Sequence, residues 1–266
     1  MFKYKAGFVG AGNMGGALAD AVCKKIGGEN VVISCKTSEK AALVAEKYSC
    51  NHGTADDVVK NSRFVFLGIK PQGLDDVAKQ LEAEFDKNKD CIIVSMLAGV
   101  KTTRLEKLFG EKKVIRIMPN TPAAVGKGMI LVCSNSYVTP DDMAEFKDMM
   151  SMCGELDIMD EELIDAGTAV SGCGPAFVYM FIDALAEGGV KCGLSREQAV
   201  KYAAQTLIGS SEMVIKTGIH PDDLKIAVCS PGGSTIEGVK SLENDDFKDA
   251  VIHAVEASYN KTKKLG

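Results

Sequence analysis

The sequence predicts an α/β fold in its N-terminal part, followed by a C-terminal part made of helices. A glycine-rich turn joins a short apolar run to an amphipathic helix near the N-terminus, and apolar strand-length runs then alternate with helical patterns. Beyond about residue 160 the patterns have a helical period only. The chain of 266 residues exceeds the usual single domain of about 100–150 residues, so we predict two domains, residues 1–160 and 161–266.

The first element is a strand, Ala6–Val9, followed by a G-x-G-x-x-G pattern and a helix. Gly10 permits a tight turn, Gly12 lets the backbone approach a pyrophosphate, and Gly15 lets the helix pack close to the strand. The start of the helix, at Asn13, offers free N–H groups and a partial positive charge to an anion. The pattern therefore predicts a dinucleotide-binding domain.

The second strand, Val31–Ser34, supports this interpretation and indicates which dinucleotide is bound. An NAD site usually has an acidic residue at the end of that strand. This chain instead has Ser34, Lys36 and Thr37 there, and its first carboxylate, Glu39, lies in the next helix. Hydroxyls and a cation suit the 2′-phosphate of NADP. We predict that NADPH is preferred and NADH possible; the alternative is a solvated loop with a surface lysine.

Further buried strands are predicted at Phe64–Ile69, Cys91–Ser95 and Val114–Met118, with MILVC and GELDIM completing the sheet. In a doubly wound sheet the carboxyl ends of the strands open on the ligand crevice. The residues that follow these strands are therefore candidates to line it: Lys70, Ala98, Gly99 and Asn120. Pro71 suits the first turn of a helix.

The helical part contains Pro175–Val190, which is apolar almost all round and therefore predicts burial or a subunit interface. We favour a dimer that shares a helical core; the alternative is a monomer whose first domain covers this helix. A capping box at Ser195 begins a helix that runs to about Thr217, and His220-Pro221 begins a shorter one. Asn244 is predicted to cap the last helix, which extends to Leu265.

Two glycine-rich segments interrupt the helical pattern, AVSGCGPA from Ala169 and SPGGSTIEG from Ser230. Each can be a helix-to-helix turn with Ser or Thr as the N-cap. The second can also be an anion site, because Gly232, Gly233 and Ser234 leave room for a carboxylate at a helix N-terminus. The Thr235 hydroxyl would then reach a substrate nitrogen. His52, His220 and His253 lie at unrelated points, and each reads as structural.

The composition excludes several classes of protein. The net charge is -5 without a basic block, which argues against nucleic acid as a partner. The nine cysteines contain no C-x-x-C pair and no Cys–His cluster, so we predict idle thiols and no metal. We also expect no signal peptide, no apolar run long enough for a membrane span, and a cytoplasmic location.

Together, GFVGAGNMG, FLGIKPQ, RIMPNTPA, VSGCGPAF, DALAEGGVKCGL and SPGGSTIEGVKSLE resemble pyrroline-5-carboxylate reductases, in order and spacing over almost the whole chain. The resemblance implies a Rossmann domain followed by an all-α dimerisation domain, with dimers assembling into larger rings. It implies NAD(P)H-dependent reduction of 1-pyrroline-5-carboxylate to L-proline, the last step of proline biosynthesis. Two departures are Lys36, where NADP-using relatives commonly have Arg, and Cys173, where Ser is often found.

Carried over residue by residue, the resemblance assigns a ligand to each motif. Gly10, Gly12, Asn13 and Met14 are expected to bind the pyrophosphate. Ser34, Lys36 and Thr37 are expected to lie near the adenosine ribose or its phosphate. The residues expected on the nicotinamide side are Lys70, Pro71, Ala98, Gly99 and Asn120. Those expected to bind the substrate are Ser230, Gly232, Gly233, Ser234 and Thr235, and Thr235 is the catalytic candidate.

Two other functions stay open at this point. A hydroxyacid dehydrogenase of the 6-phosphogluconate or 3-hydroxyisobutyrate type shares this domain order. Such enzymes resemble one another in a Lys and an Asn on the helix after a glycine-rich joint, and PAFVYMFIDALAEGG has neither. A catalytically silent NADP-binding sensor has the same fold, and only chemistry distinguishes it.

Overall fold

The computed structural model describes residues 2–264, which form two compact units. The first contains the chain up to Cys173 together with the segment from Ser258 onward, and the second is Gly174–Ala257. The first unit therefore extends beyond the domain boundary predicted at residues 160 and 161, and that boundary stays a prediction.

One sheet forms the centre of the first unit. Its strands in the described residues are β1 (Tyr4–Val9), β2 (Val31–Ser34), β3 (Asn51–His52), β4 (Ser62–Leu67), β5 (Ile92–Ser95), β6 (Lys113–Met118), β7 (Gly128–Ser134) and β8 (Gly154–Ile158). The helices between and after them are α1 (Asn13–Ile26), α2 (Ser38–Tyr48), α3 (Ala55–Asn61), α4 (Leu74–Lys87), α5 (Thr102–Phe109), α6 (Pro140–Met150) and α7 (Ile164–Gly167).

The strand order is β3-β2-β1-β4-β5-β6-β7-β8. Neighbouring strands are parallel except β6 and β7, which pair antiparallel. The chain builds outward from β1 to β3 and then returns to place β4 on the other side of β1. The predicted dinucleotide-binding fold is confirmed, and this reversal is where such folds bind their ligands, at the carboxyl ends of the strands.

Both faces of the sheet are covered, so its strands are apolar at successive positions. Phe8 belongs to one core, where it stacks on Phe66 with ring centroids 4.3 Å apart. Its neighbour Val9 belongs to the opposite core, with Phe85 of α4. The buried run predicted at Phe64–Ile69 ends two residues earlier, at Leu67, because the sheet stops pairing where Gly68 turns into the crevice.

The second unit contains α8 (Gly174–Lys191), α9 (Arg196–Thr217), α10 (Pro221–Ala227) and α11 (Ser234–Asn244), and α12 (Phe247–Thr262) begins in it. The capping box predicted at Ser195 is present, and His220 caps α10. The predicted role of Asn244 is wrong, because Asn244 ends α11 and the backbone carbonyl of Asp246 accepts the first hydrogen bond of α12. Leu265, the predicted end of the last helix, lies outside the described residues.

The segment AVSGCGPA is not the turn that its glycines suggest. It continues from α7 through a π-helical turn, Thr168–Gly172, directly into α8. The hydroxyls of Thr168 and Ser171 donate to carbonyls four residues earlier, those of Ile164 (2.6 Å) and Gly167 (3.0 Å). These hydroxyls thus bond within helical backbone that continues where the glycines alone would favour a break, and such back-bonding often bends a helix.

The apolar helix α8 is largely exposed in the single chain. Met180 is 73% exposed and Tyr179 is 59% exposed, and Ala186 is the buried residue described within the helix. The helical stretch Glu161–Lys191 is long and apolar enough to cross a membrane, contrary to the sequence prediction, although helices of soluble proteins meet the same criterion. An exposed apolar helix in this unit agrees with the predicted subunit interface.

A buried carboxylate ties α6 to the sheet. Asp142 accepts hydrogen bonds from Arg63 of β4 (2.9 Å) and Lys113 of β6 (2.7 Å), and it closes a capping box with Thr139. Burial alone would raise the pKa of Asp142, but the hydrogen bonds from Lys113 and Thr139 lower it to about 2. The folded state therefore favours the ionised carboxylate.

Asp142→Asn should lower the stability of the protein by roughly 2 kcal/mol near neutral pH. The pKa of the carboxyl falls from 3.8 to about 2 on folding, so this stability is present above about pH 4 and is lost as the pH falls through 2. Urea unfolding between neutral and acid pH, at one protein concentration, should show the wild-type and variant curves converging in acid. Asp141→Asn, one residue away and exposed, is the control, and parallel curves for Asp142→Asn would contradict the assignment.

Candidate functional site

The turn after β1 is built from glycine for steric reasons. Gly10 has φ +96°, and a Cβ there would lie 2.6 Å from the carbonyl oxygen of Gly68, which follows β4. A Cβ on Gly15 would clash with the carbonyl oxygen of Gly10. The roles predicted for Gly10 and Gly15 therefore agree with the observed packing.

Gly12 has a different environment, because a Cβ there would meet no atom within 4 Å. Gly12 is the N-cap of α1, which has no side-chain cap and no acidic residue in its first turn. The first N–H groups of a helix have no partner within the helix. Open space in front of free donors and the positive end of a helix dipole fits a pyrophosphate.

A cavity of about 420 Å³ opens at this point, at the carboxyl ends of β1 and β4. The structure brings four of the predicted residues together around it: Gly12, Asn13, Met14 and Lys70. Gly68, Ile69 and Met96 also line it, and sequence reasoning missed them as site residues. The signal was present for Gly68, since a glycine directly after a buried strand indicates a close backbone approach.

Pro71 and Gly99 line a second cavity of about 490 Å³, together with the ion pair between Arg104 and Asp75. Gly99 has φ +76°, which favours glycine at this turn. Ala98 packs instead against a small apolar cluster that contains Met118 and Ile164. Of the residues predicted for the nicotinamide side, Pro71 and Gly99 therefore line a cavity, whereas Ala98 packs in an apolar cluster.

The three residues predicted at the end of β2 have different environments. The Ser34 hydroxyl is buried and donates to the Phe8 carbonyl (3.3 Å), so it is already used within the sheet. The Thr37 hydroxyl accepts from the Lys40 N–H and caps α2. Lys36 is exposed and has no hydrogen bond or ion pair among the described contacts, so its charge is available to a ligand.

A third cavity, about 550 Å³, lies between the start of α1 and the helix α2. Lys40, Lys47 and Tyr48 line it together with Gly12 and Asn13. Sequence reasoning did not select these side chains, because lysines on an exposed helix face are ordinary. Lys40 and Lys47 bring positive charge to this cavity, and the carboxylate of Asp20, paired with Lys24 at 2.7 Å, also lines it.

Asn120 is buried, and its side chain is fully engaged in holding the chain. Its amide donates to the Ser171 carbonyl (2.9 Å), and its carbonyl oxygen accepts from the Met129 N–H (3.0 Å). The structure therefore gives Asn120 a supporting role at the end of β6, and its contact with a cofactor stays a prediction.

The segment SPGG is a tight turn that delivers the start of α11. The Gly233 N–H donates to the Ser230 carbonyl (3.0 Å), with Pro231 and Gly232 (φ +72°) between them, the residue pattern of a type II turn. The N-cap is Gly233, and α11 has no side-chain cap. The Ser or Thr cap expected for a plain helix-to-helix turn is therefore absent.

The hydroxyls of Ser234 and Thr235 are free for other contacts. Both residues are exposed, and within residues 2–264 neither side chain has a hydrogen bond. Together with the unused N–H groups of the first turn of α11, they form a set of donors on one helix end. This set can bind a carboxylate, although Glu237 in the same turn, paired with Lys240 at 2.7 Å, limits the charge it tolerates.

The other titratable residues do not form a second reaction centre. The described residues contain no group of His, Cys, Asp and Glu side chains arranged to hold a metal ion. His220 accepts from the Asp222 N–H through Nδ1 (3.2 Å), which is a capping role. Burial raises the pKa of the Cys91 thiol to about 11 and of Cys153 to about 12, so neither is reactive at neutral pH.

Comparisons with known proteins cover the whole chain. Residues 161–265 match the family model described as pyrroline-5-carboxylate reductase dimerisation, and residues 5–99 match one described as NADP oxidoreductase, coenzyme F420-dependent. The chain is 38% identical to the pyrroline-5-carboxylate reductase of Aquifex aeolicus (strain VF5), over 98% of this chain and 97% of that protein. It is also 38% identical to that of Escherichia coli (strain K12), over 98% of each chain.

Solved structures give the same relationship. The structure of Plasmodium falciparum pyrroline carboxylate reductase with NADP bound has a TM-score of 0.89 and 34% identity, and the match covers 100% of this chain and 99% of that one. The 1-pyrroline-5-carboxylate reductase of Streptococcus pyogenes has a TM-score of 0.88 and 30% identity over 98% of each chain.

Gly12→Ala should weaken dinucleotide binding at least about tenfold and lower the unfolding temperature only slightly, because the added methyl group fills open space in front of α1 and alanine is a poorer N-cap than glycine. Gly15→Ala, three residues on, is the matched comparison and should lower the unfolding temperature, because its methyl group clashes with the Gly10 carbonyl. Fluorescence titration with NADPH and thermal unfolding measure the two effects. Equal nucleotide affinity in wild type and Gly12→Ala would contradict the pyrophosphate assignment.

Proposed function

This chain belongs to the pyrroline-5-carboxylate reductase family, and from that premise we propose that it reduces 1-pyrroline-5-carboxylate to L-proline, the last step of proline biosynthesis. The observation that carries the proposal is the match over nearly the full length of named reductases, which includes both the dinucleotide-binding part and the C-terminal part.

NADPH, when bound, supplies the hydride for this reduction. We propose that the first turn of α1 holds its pyrophosphate, through the N–H groups near Gly12, Asn13 and Met14. The open space at Gly12 and the absence of an acidic residue in that turn support this assignment. Lys70 and Gly99 then lie on the side where the reacting ring is expected.

The substrate carboxylate is assigned to the uncapped start of α11. Its first turn combines unused backbone donors with small residues at Gly232, Gly233 and Ser234, which permit close approach of an anion. The exposed hydroxyl of Thr235 orients the ring, because its oxygen accepts a hydrogen bond from the N–H of the protonated ring nitrogen. An iminium substrate already carries its proton on nitrogen, so hydride addition at carbon gives the amine without an acid from the protein.

We propose a homodimer, and dimers that assemble into a larger ring. The description of the model that matches residues 161–265 and the exposed apolar surface of α8 support a dimer. A cytoplasmic location belongs to the same proposal, and it is supported by nine cysteines that are all free, as expected in a reducing compartment.

One assay decides between this function and its alternatives. Purified protein is incubated with NADPH and 1-pyrroline-5-carboxylate, and loss of NADPH and appearance of proline are followed together. Proline formed in step with NADPH loss supports the reductase. NADPH binding without turnover would favour the silent sensor. The same assay run with NADP and a hydroxyacid would form NADPH if the protein were the dehydrogenase.

Thr235→Ala should lower kcat/KM for 1-pyrroline-5-carboxylate by about 10- to 150-fold, because it removes one hydrogen bond to the reacting group. The fold should be unaffected, since Thr235 is exposed and its hydroxyl has no described partner. Thr235→Ser keeps the hydroxyl and should retain most of the activity. Unchanged kinetics in Thr235→Ala would remove this residue from the mechanism.

Lys36→Ala should raise the KM for NADPH by about tenfold and that for NADH much less, because only NADPH carries the 2′-phosphate. Steady-state kinetics with each cofactor at saturating 1-pyrroline-5-carboxylate measure the difference. Lys79→Ala, an exposed lysine on α4, controls for the change in net charge. Equal increases for both cofactors would mean that Lys36 does not recognise the phosphate.

A further inference from the structure

A buried ion pair lies behind the loop that follows β5 (residues 96–101). Arg116 of β6 is 1% exposed, and its Nη1 donates to Oε1 of Glu161 at 3.0 Å. The same carboxylate accepts from the Thr102 N–H and from the Thr102 hydroxyl, both at 2.8 Å. Glu161 thus caps α5, which has no cap of its own, from 59 residues away in the sequence.

The β5–α5 loop has two further links to its surroundings. At its start, Met96 lines the cavity that contains Gly12 and Gly68. In its middle, Ala98 packs against the apolar cluster of Ile164, three residues after Glu161. The loop is therefore fixed on one side by the segment around Glu161 and presents its other side to the crevice.

Asn120 provides a parallel connection for the next crevice loop. Its hydrogen bond to the Ser171 carbonyl joins the end of β6 to the π-helical turn. Residues 161–171 therefore hold the ends of both β5 and β6, two of the three strands whose following residues are assigned to the nicotinamide side.

We propose that Glu161 is a positioning residue: through Thr102 and Arg116 it fixes the β5–α5 loop, and so sets the position of the nicotinamide in the crevice. The inference rests on the proposed reductase function, which names the ligand of this crevice. It assigns to Glu161 an effect on the hydride-transfer step, while nucleotide affinity depends mainly on the phosphate contacts at α1.

The electrostatics of the cluster favour a charged Glu161. Burial would raise the pKa of Glu161, but the hydrogen bonds from Thr102 and Arg116 outweigh it and hold the pKa below its ordinary value. Among the described residues, Nε and Nη2 of Arg116 have no hydrogen-bond partner, and Asp165 Oδ1 lies 3.5 Å from Nη2. The positive charge of the buried Arg116 guanidinium is therefore balanced mainly by the Glu161 carboxylate.

Glu161→Gln tests the role with little change in shape, and Glu162→Gln makes the same change at the adjacent exposed position. We expect Glu161→Gln to lower kcat at least about tenfold and to change the Kd for NADPH by less than about threefold. In the protein without cofactor, hydrogen exchange of residues 97–103 should quicken in Glu161→Gln and not in Glu162→Gln. Unchanged kcat, or a loss confined to NADPH affinity, would overturn the proposal.

Thr102→Val and Thr102→Ser keep the test decisive if Glu161→Gln fails to fold. Thr102→Val removes one hydrogen bond to Glu161 and should lower kcat in the same direction, and Thr102→Ser should restore it. Wild-type kcat in Thr102→Val, with wild-type exchange of residues 97–103, would overturn the proposal. Wild-type protein that forms no proline would instead contradict the reductase function, and hydrogen exchange would then still decide whether Glu161 holds the loop.

Discussion

The carbonyl oxygen of Gly10 is the point on which the crevice depends, because three segments of backbone meet there. Gly68 after β4 and Gly15 in α1 both lie so close to it that a single Cβ on either would clash. This contact brings α1 against the ends of β1 and β4, where the strand order reverses. The helix then begins directly in front of the crevice, with free N–H groups and the positive end of its dipole facing an anion.

Much of this geometry is predictable because it is local. The bounds of β2, Val31–Ser34, and the capping box at Ser195 follow from short patterns whose partners lie within a few residues. The helical path of AVSGCGPA was missed, since glycines normally favour a break and the hydroxyls that bond within this backbone give no periodic signal. The prediction for Asn244 failed for a similar reason. Asn244, Asp245 and Asp246 are all of a type that caps helices, and only the fold decides which of them precedes the helix.

The contact between Arg116 and Glu161 shows what a single sequence does not reveal. No local pattern links Arg116 of β6 to Glu161, which is the first residue of the predicted second domain. Their ion pair, with Thr102 as third partner, makes residues 161–173 part of the compact unit that contains the sheet. The predicted boundary at residues 160 and 161 stays a prediction, but this contact across it has no sequence signal, because it joins side chains far apart in the chain.

Helices α1 and α11 share one feature at their N-termini, although they belong to different units: neither has a side-chain cap. Helices α2, α3, α6 and α9 begin with a Thr or Ser whose side chain caps the backbone. In contrast, α1, α4 and α11 begin at glycine without a side-chain cap, at Gly12, Gly73 and Gly233, but the first turn of α4 carries Asp75 and Asp76, which disfavour an anion. A glycine in place of a capping side chain costs roughly a few tenths of a kcal/mol, and it leaves donors free that the side chain would occupy. That loss of stability is understandable where a ligand replaces the cap, as in the proposed binding of a pyrophosphate at α1 and of a small carboxylate at α11.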